Sequence, residues 1–186
     1  EILEYIESIG GEAIMTNKSH ERASDRCAEA LRYLEIKDGV QYDIVVMVQG
    51  DEPMINHEMI TEAVTPMMHN SKILVTNLIG IIKTEAEFED RNCIKVVCDK
   101  ESNAIYFSRE PIPTRSKEAN VPMKKQICVI PFTRNFLLEY IDMEPTPLEI
   151  FESIDMMRVL EHGLKVKMVP TNHQTYSVDT EEDLKK

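Results

Sequence analysis

Runs of apolar residues bounded by polar turns recur along the chain and predict a series of buried strands. The clearest run lies within residues 43–49 (DIVVMVQ) and ends at Gly50. An apolar run without polar alternation is typical of a parallel strand that helices cover on both faces. Further strands are predicted at 12–16, 73–82, 94–98, 127–132 and 164–169.

Apolar residues at helical spacing alternate with these strands. Ile2, Leu3, Tyr5 and Ile6 share one face of a helix predicted at 1–8. The alternation of strands and helices predicts a single α/β domain with a mostly parallel, doubly wound sheet. The proline-containing stretch 109–125 predicts a long loop, and long loops in compact domains are often functional. The other predicted helices are 21–34, 58–67, 133–141, 147–162 and 180 onward.

Composition narrows the possible partners and the compartment. The 186 residues, 42% of them hydrophobic, suffice for one sizeable core. A formal net charge of -12 opposes binding to nucleic acid or to an anionic membrane surface. No apolar run approaches the roughly 20 residues that cross a bilayer. The 4 cysteines lack CxxC spacing, which predicts free thiols in a reducing compartment. We therefore expect a cytoplasmic protein that contacts neither nucleic acid nor membrane.

The most informative motif, QGDEP, begins at Gln49, where the predicted buried strand ends. Ligands of open α/β sheets bind beyond the carboxyl ends of the strands, so carboxylates at this point are placed for a site. Asp and Glu oxygens suit Mg²⁺, and Asp51 is the better candidate ligand. For an arbitrary acidic pair after a strand, however, capping the next helix or forming a turn is the commoner role.

The VQGDEP motif after an apolar strand resembles the CMP-Kdo synthetase group of sugar nucleotidyltransferases. Other segments that are similar to this family follow in the same order and span nearly the whole chain. They are residues 20–26 (HERASDR), 95–97 (KVV) with 106–109 (YFSR), 145–149 (PTPLE), and 178–180 (VDT) leading into 182–184 (EDL).

The resemblance implies a Rossmann-like sheet of the nucleotide-diphospho-sugar transferase type, a homodimer, and a Mg²⁺-dependent cytidylyltransferase. Such an enzyme transfers CMP from CTP to the anomeric hydroxyl of 3-deoxy-manno-octulosonate (Kdo) in lipopolysaccharide biosynthesis. The matching positions give Asp51 and Asp179 as catalytic metal ligands, and Gln49 as a contact of both sugar and nucleotide. For Asp179 the alternative is an N-cap of the last predicted helix, because Val-Asp-Thr-Glu-Glu is a good helix start.

The resemblance also implies contacts for both substrates. Arg22, Ala23 and Ser24 match the family's contacts with the cytosine and ribose, where the family usually has glycine in place of Ala23. Arg109 matches an arginine that faces the sugar carboxylate, and a planar guanidinium suits such a carboxylate. A solvated loop arginine is the alternative for Arg109.

The sugar pocket departs from the family pattern. Gln126 and Ile130 stand where the family commonly has a histidine and a tyrosine, and Asp155-Met156 replaces a Glu-Gln pair. Each polar mismatch in a buried site changes binding by about 1–3 kcal/mol. A related acidic sugar, such as 8-amino-Kdo or a sialic-acid-like sugar, is therefore an alternative substrate.

The chain also departs from the family at its start. It opens at Glu1 within a predicted helix, past the position of the family's first strand and of the loop that wraps the phosphates of CTP. We expect the chain on its own to be poorly active for that reason. A non-catalytic module with a nucleotidyltransferase-like fold is a further hypothesis. By analogy with the family, residues 84–148 are expected to contain the dimerisation and sugar-binding part.

Overall fold

The structure is a computed structural model that describes residues 1–118, 120–178, 180–181 and 183–185. Helices alternate with strands along most of the chain, as the sequence predicts. The helices are α1 (Ile2–Ser8), α2 (Ala23–Asp38), α3 (His57–His69), α4 (Glu85–Glu89), α5 (Arg134–Asp142), α6 (Pro147–Glu152) and α7 (Met156–Glu161), with a 3-10 turn at Asp183–Lys185. The strands are β1 (Ile44–Val48), β2 (Thr76–Ile81), β3 (Lys95–Cys98), β4 (Ala104–Ser108), β5 (Lys124–Ile127), β6 (Val129–Thr133) and β7 (Lys167–Pro170).

Local sequence signals set several helix ends. The α2 helix ends at Gly39, whose φ of 65° is a left-handed conformation that glycine adopts without steric cost. Before α3, the Asn56 side chain accepts a hydrogen bond from the N–H of Met59 (3.0 Å). The hydroxyls of Thr84 and Thr133 cap α4 and α5 in the same way. These caps satisfy N–H groups that have no partner inside a helix.

The strands form two hydrogen-bonded groups. One pairs β1 with β6, and the other has the order β4-β3-β5-β2-β7. A bridge between Val75 and Phe132 connects the two groups. Only β2 and β7 are parallel among the ladders of the described residues, since β1–β6, β2–β5, β3–β4 and β3–β5 are antiparallel. The α/β class is confirmed, and the expectation of a mostly parallel sheet is wrong for these ladders, because residues 124–133 run against both β1 and β2.

Helices cover the sheet on both faces, as a doubly wound architecture requires. Neighbouring residues of β2 point to opposite faces, so Leu78 and Ile79 lie in different apolar clusters. The larger cluster packs α2, α5 and α7 against the sheet, and its aromatic centre is formed by Phe132, Phe136 and Tyr140. The smaller cluster packs α3 against β2, β5 and β6.

Four local predictions differ from the structure. Residues 12–16 form no strand, because no strand of the described chain pairs with them. The helix predicted at 147–162 is divided at Ser153, which has a left-handed φ of 54°. The strand predicted at 127–132 starts earlier and is interrupted at Cys128. The helix predicted from 180 onward is a 3-10 turn where the structure describes it. No helix in the described ranges is both long and apolar enough to cross a membrane.

Candidate active site

The chain leaves β1 in a turn that carries the QGDEP motif. The N–H of Gln49 donates to the carbonyl of Cys128 (3.3 Å), at the junction of β5 and β6. The carbonyl of Asp51 accepts a hydrogen bond from the N–H of Val178 (2.8 Å), in the segment after β7. The motif therefore lies where two distant parts of the sequence meet, beyond the carboxyl end of β1.

The Asp51 carboxylate has an unsatisfied oxygen. Its Oδ1 is buried and accepts no hydrogen bond from the described residues. Burying such an oxygen is unfavourable unless a ligand or ion compensates for the lost water. Mg²⁺ prefers oxygen ligands, usually takes one or two protein carboxylates, and completes its shell with water and substrate phosphates. Asp51 therefore fits a Mg²⁺ site that also contacts a phosphate.

The second predicted ligand, Asp179, lies outside the described residues. Its neighbour Val178 is the residue that donates to the Asp51 carbonyl. Within the described ranges there is no cluster of three or more His, Cys, Asp or Glu side chains that could hold a metal. Because Mg²⁺ needs only one or two carboxylates from the protein, the pairing of Asp51 with Asp179 stays a prediction.

A buried asparagine organises the corner beside this turn. Asn77, in β2, is fully buried, and its Nδ2 donates to the carbonyls of Ile127 (2.7 Å) and Val129 (3.3 Å) on either side of Cys128. Its Oδ1 accepts a hydrogen bond from Nε2 of Gln126 (2.5 Å). Gln126 therefore lies near the turn, but one end of its amide already contacts protein. The sequence does offer a signal for Asn77, since it is a lone amide inside an apolar strand.

The segment predicted to contact the nucleotide begins α2. Nε of Arg22 lies 3.4 Å from Oε1 of Glu149. Ala23 is partly buried against the larger apolar cluster, and Ser24 is fully buried. The Oγ of Ser24 has no hydrogen-bond partner within the described chain. A cleft of about 400 Å³ lies beside this segment and is lined by Asn17, His20, Asp25, Glu29, Arg32 and Ile141.

Asp155, which was predicted to contact the sugar, lies near Arg22. Burial raises the pKa of the Asp155 carboxyl. The positive charge of Arg22 opposes this shift, and the negative charge of nearby Asp25 adds to it. The Tyr140 hydroxyl donates to the carbonyl of Asp155 (2.9 Å). The structure thus brings together one predicted nucleotide residue and one predicted sugar residue.

Arg109 follows β4, and its guanidinium donates to backbone carbonyls of three described residues. Its Nε donates to Glu152 (2.7 Å), its Nη1 to Arg91 (3.0 Å) and its Nη2 to Ser153 (3.1 Å). No carboxylate of the described residues forms an ion pair with this guanidinium. Arginine has five N–H donors, so one N–H on each Nη remains for a ligand. This pair of donors is the fork that binds a carboxylate.

Two predicted sugar contacts lie in the interior. Ile130 is 3% exposed and Met156 is 0% exposed, and both belong to the larger apolar cluster. Neither side chain offers surface to a ligand in this conformation, and their role in the sugar pocket stays a prediction. Sequence reasoning also missed Lys95 and Glu152, which contact the backbone of Arg109.

The fold defines the class of protein as a nucleotidyltransferase. It is similar to the structure of CMP:2-keto-3-deoxy-manno-octonic acid synthetase complexed with CTP, with a TM-score of 0.87 and 28% identity over 99% of this chain and 73% of that one. A Bacillus anthracis structure assigned as a glucose-1-phosphate thymidylyltransferase shares the fold, with a TM-score of 0.57 and 13% identity over 99% of this chain and 68% of that one.

Sequence comparison gives the family. Residues 1–167 match the family described as cytidylyltransferase. The 3-deoxy-manno-octulosonate cytidylyltransferase of Fusobacterium nucleatum is 39% identical over 95% of this chain and 70% of its own length. That of Trichlorobacter lovleyi is 38% identical over 100% of this chain and 75% of its own. The chain belongs to the cytidylyltransferase family, in the group of 3-deoxy-manno-octulosonate cytidylyltransferases.

Proposed function

We propose that this protein transfers CMP from CTP to the anomeric hydroxyl of Kdo, with release of pyrophosphate, for lipopolysaccharide biosynthesis. The observation that carries the proposal is the buried, unpartnered carboxylate oxygen of Asp51 at the end of β1. It occurs in the motif that the sequence shares with CMP-Kdo synthetases. The names of the relatives support the same activity.

In this reaction the anomeric oxygen of the sugar attacks the α-phosphorus of CTP. The bond between that phosphorus and the bridging oxygen breaks, pyrophosphate leaves, and the hydroxyl proton passes to water. Mg²⁺ bound by Asp51 and Asp179 would neutralise charge on the phosphate and lower the pKa of the hydroxyl. Arg22, Ala23 and Ser24 would hold the nucleoside. The Gln49 amide would donate to one substrate and accept from the other, and Arg109 would orient the sugar carboxylate.

Pyrophosphate release from CTP, Mg²⁺ and Kdo tests this function. We expect Asp51→Asn to lower kcat/KM by about 100-fold or more, since it removes charge stabilisation of the transition state. Asp142→Asn, the same chemical change at the end of α5, serves as the control. Mn²⁺ binding followed by electron paramagnetic resonance supplies a second measurement that does not depend on turnover. Turnover and Mn²⁺ affinity that are both unaffected by Asp51→Asn would refute the assignment.

The identity of the sugar is tested in the same assay. The carboxylate of Asp155 beside Arg22 could accept a hydrogen bond from a hydroxyl or from an ammonium group. We therefore propose 8-amino-Kdo or a sialic-acid-like sugar as the second candidate substrate, to be compared with Kdo by kcat/KM. Absence of pyrophosphate release with every sugar, from folded protein that still binds CTP, would favour a non-catalytic binding module.

We also propose a homodimer in the cytoplasm. Exposed apolar side chains on β4 and α6 support an interface at this end of the sheet: Ile105 is 60% exposed, Ile150 is 64% exposed and Phe151 is 79% exposed. No disulfide joins the cysteines of the described residues, in keeping with a reducing compartment. Light scattering of the purified chain measures the oligomeric state.

A further inference from the structure

A lysine is buried directly beneath Arg109. Lys95, in β3, is 0% exposed, and its Nζ donates to the carbonyls of Asp90 and Arg109, each at 2.6 Å. Burial lowers the pKa of the Lys95 ammonium. No carboxylate within the described chain forms an ion pair with it. Burying a charge is unfavourable unless polar contacts compensate, and the two carbonyl hydrogen bonds that do so tie the ammonium to the backbone of Asp90 and of Arg109.

Glu152 holds the same residue from the other side. Its Oε2 accepts a hydrogen bond from the backbone N–H of Arg109 (2.9 Å), and its Oε1 accepts from the hydroxyls of Tyr106 (3.0 Å) and Ser108 (3.1 Å). The backbone of Arg109 is thus fixed at its N–H by a carboxylate and at its carbonyl by an ammonium. Lys95 comes from the neighbouring strand β3, and Glu152 comes from α6, which is distant in sequence.

The break between α6 and α7 completes the arrangement. Ser153 has a left-handed backbone conformation, which is sterically unfavourable for a residue other than glycine. This conformation ends α6, and the carbonyls of Glu152 and Ser153 at that end accept hydrogen bonds from the Arg109 guanidinium. The last carbonyls of a helix lack partners within the helix and favour a cation.

We propose that Lys95 and Glu152 are positioning residues that hold Arg109 ready to bind the carboxylate of the acidic sugar. This inference rests on the proposed function, in which Arg109 is the sugar-carboxylate contact. A guanidinium that is already immobilised loses little conformational freedom when the ligand binds, so its affinity for the ligand is higher. Lys95 acts only through the Arg109 backbone and touches no substrate.

The test compares Lys95→Met with Lys124→Met. Both replace a lysine in a β-strand by an apolar side chain of similar length, but among the described residues Lys124 forms no hydrogen bond with Arg109. We expect Lys95→Met to weaken binding of Kdo about tenfold by calorimetry while the affinity for CTP changes less than twofold. Lys95→Arg should restore part of the loss. Circular dichroism at the titration temperature shows whether each variant is folded. If Lys95→Met is not folded, Glu152→Gln replaces it with the same expectation.

A double variant of Lys95 and Arg109 distinguishes a positioning role of Lys95 from a general structural role. The double variant Lys95→Met/Arg109→Ala should bind Kdo no more weakly than Arg109→Ala alone, because positioning has no effect without the group that is positioned. Additive losses would overturn the proposal, as would equal losses for Kdo and CTP. If Arg109→Ala leaves Kdo affinity unchanged, the assignment of Arg109 fails, whereas the role of Asp51 is judged separately by Mn²⁺ binding.

Discussion

Removal of one partner from the buried ion pair of Arg158 and Glu149 should destabilise the fold more than any surface change. The side chain of Arg158 is 1% exposed and that of Glu149 is 5% exposed. Nε and Nη2 of Arg158 donate to the two carboxylate oxygens at 2.8 and 2.7 Å. Nη1 donates to the carbonyl of Met143 (3.0 Å), and the guanidinium lies 5.0 Å from the centre of the Tyr140 ring. The group joins α5, α6 and α7.

The expected loss in the free energy of unfolding follows from the Glu149 carboxylate, which stays buried after Arg158 is replaced. Arg158→Met leaves a buried carboxylate, and breaking such a pair costs about 3–5 kcal/mol. Arg22, whose Nε lies 3.4 Å from the same carboxylate, compensates in part, so we expect a loss at the lower end of about 3 kcal/mol. For a chain of this size that corresponds to a fall of roughly 6–12 °C in Tm.

Urea denaturation followed by circular dichroism measures the free energy of unfolding. The control is Lys165→Met, which removes an ion pair with Glu101 whose side chains are 70% and 77% exposed, and which should cost less than about 1 kcal/mol. The double variant Arg158→Met/Glu149→Leu removes both charges and should recover most of the loss, since apolar replacements of a buried pair are often neutral. A loss below about 1 kcal/mol for Arg158→Met would refute the reasoning.

Two further predictions concern buried polar groups. Asn77→Leu leaves the carbonyls of Ile127 and Val129 without their side-chain donor. It should lower the free energy of unfolding, measured by urea denaturation, by about 2–4 kcal/mol. Asn77→Asp also lacks the donor and should lower this free energy by at least as much. Burial raises the pKa of the Asp155 carboxyl in the folded state, so the folded protein keeps a proton that the unfolded chain loses at lower pH. Stability should therefore decrease as pH rises from the unfolded-state pKa through the folded-state pKa. Asp155→Asn should reduce this slope in urea titrations at successive pH values, and an unchanged slope would contradict the assignment.

Most strand positions could be predicted from the sequence, although β4 was missed and the strand predicted at 12–16 does not form, but strand direction could not. The apolar run that forms β1 was located correctly, yet its partner β6 is antiparallel. Direction depends on how the chain returns through residues 124–133, and no local pattern encodes that path. The division of the helix at Ser153 was missed for a similar reason, since neither glycine nor proline marks the break. The helix α4 was also not predicted, although Thr84 followed by Glu87 is a helix-start pattern.

The site was predictable where it follows a strand end and harder to predict where it depends on buried contacts. Asp51 lies at the end of β1 as the motif indicated. Arg109 was identified by its resemblance to the family, but its anchoring by Lys95 and Glu152 was not, because no local pattern shows that these side chains contact its backbone. Lysine and glutamate are mostly exposed, so a pattern of polar residues gives no sign that these two turn inward.

The position of β1 has a consequence for the colloidal behaviour of the chain. In the described residues β1 is hydrogen-bonded on one side only, and its sequence, IVVMV, contains no lysine or proline. An open strand edge of this kind can pair with a strand of another copy and form an intermolecular sheet. Charged residues or prolines on the edge usually prevent this pairing. The net charge of -12 keeps copies apart by mutual repulsion. Salt shortens the range of that repulsion, so self-association should increase with ionic strength.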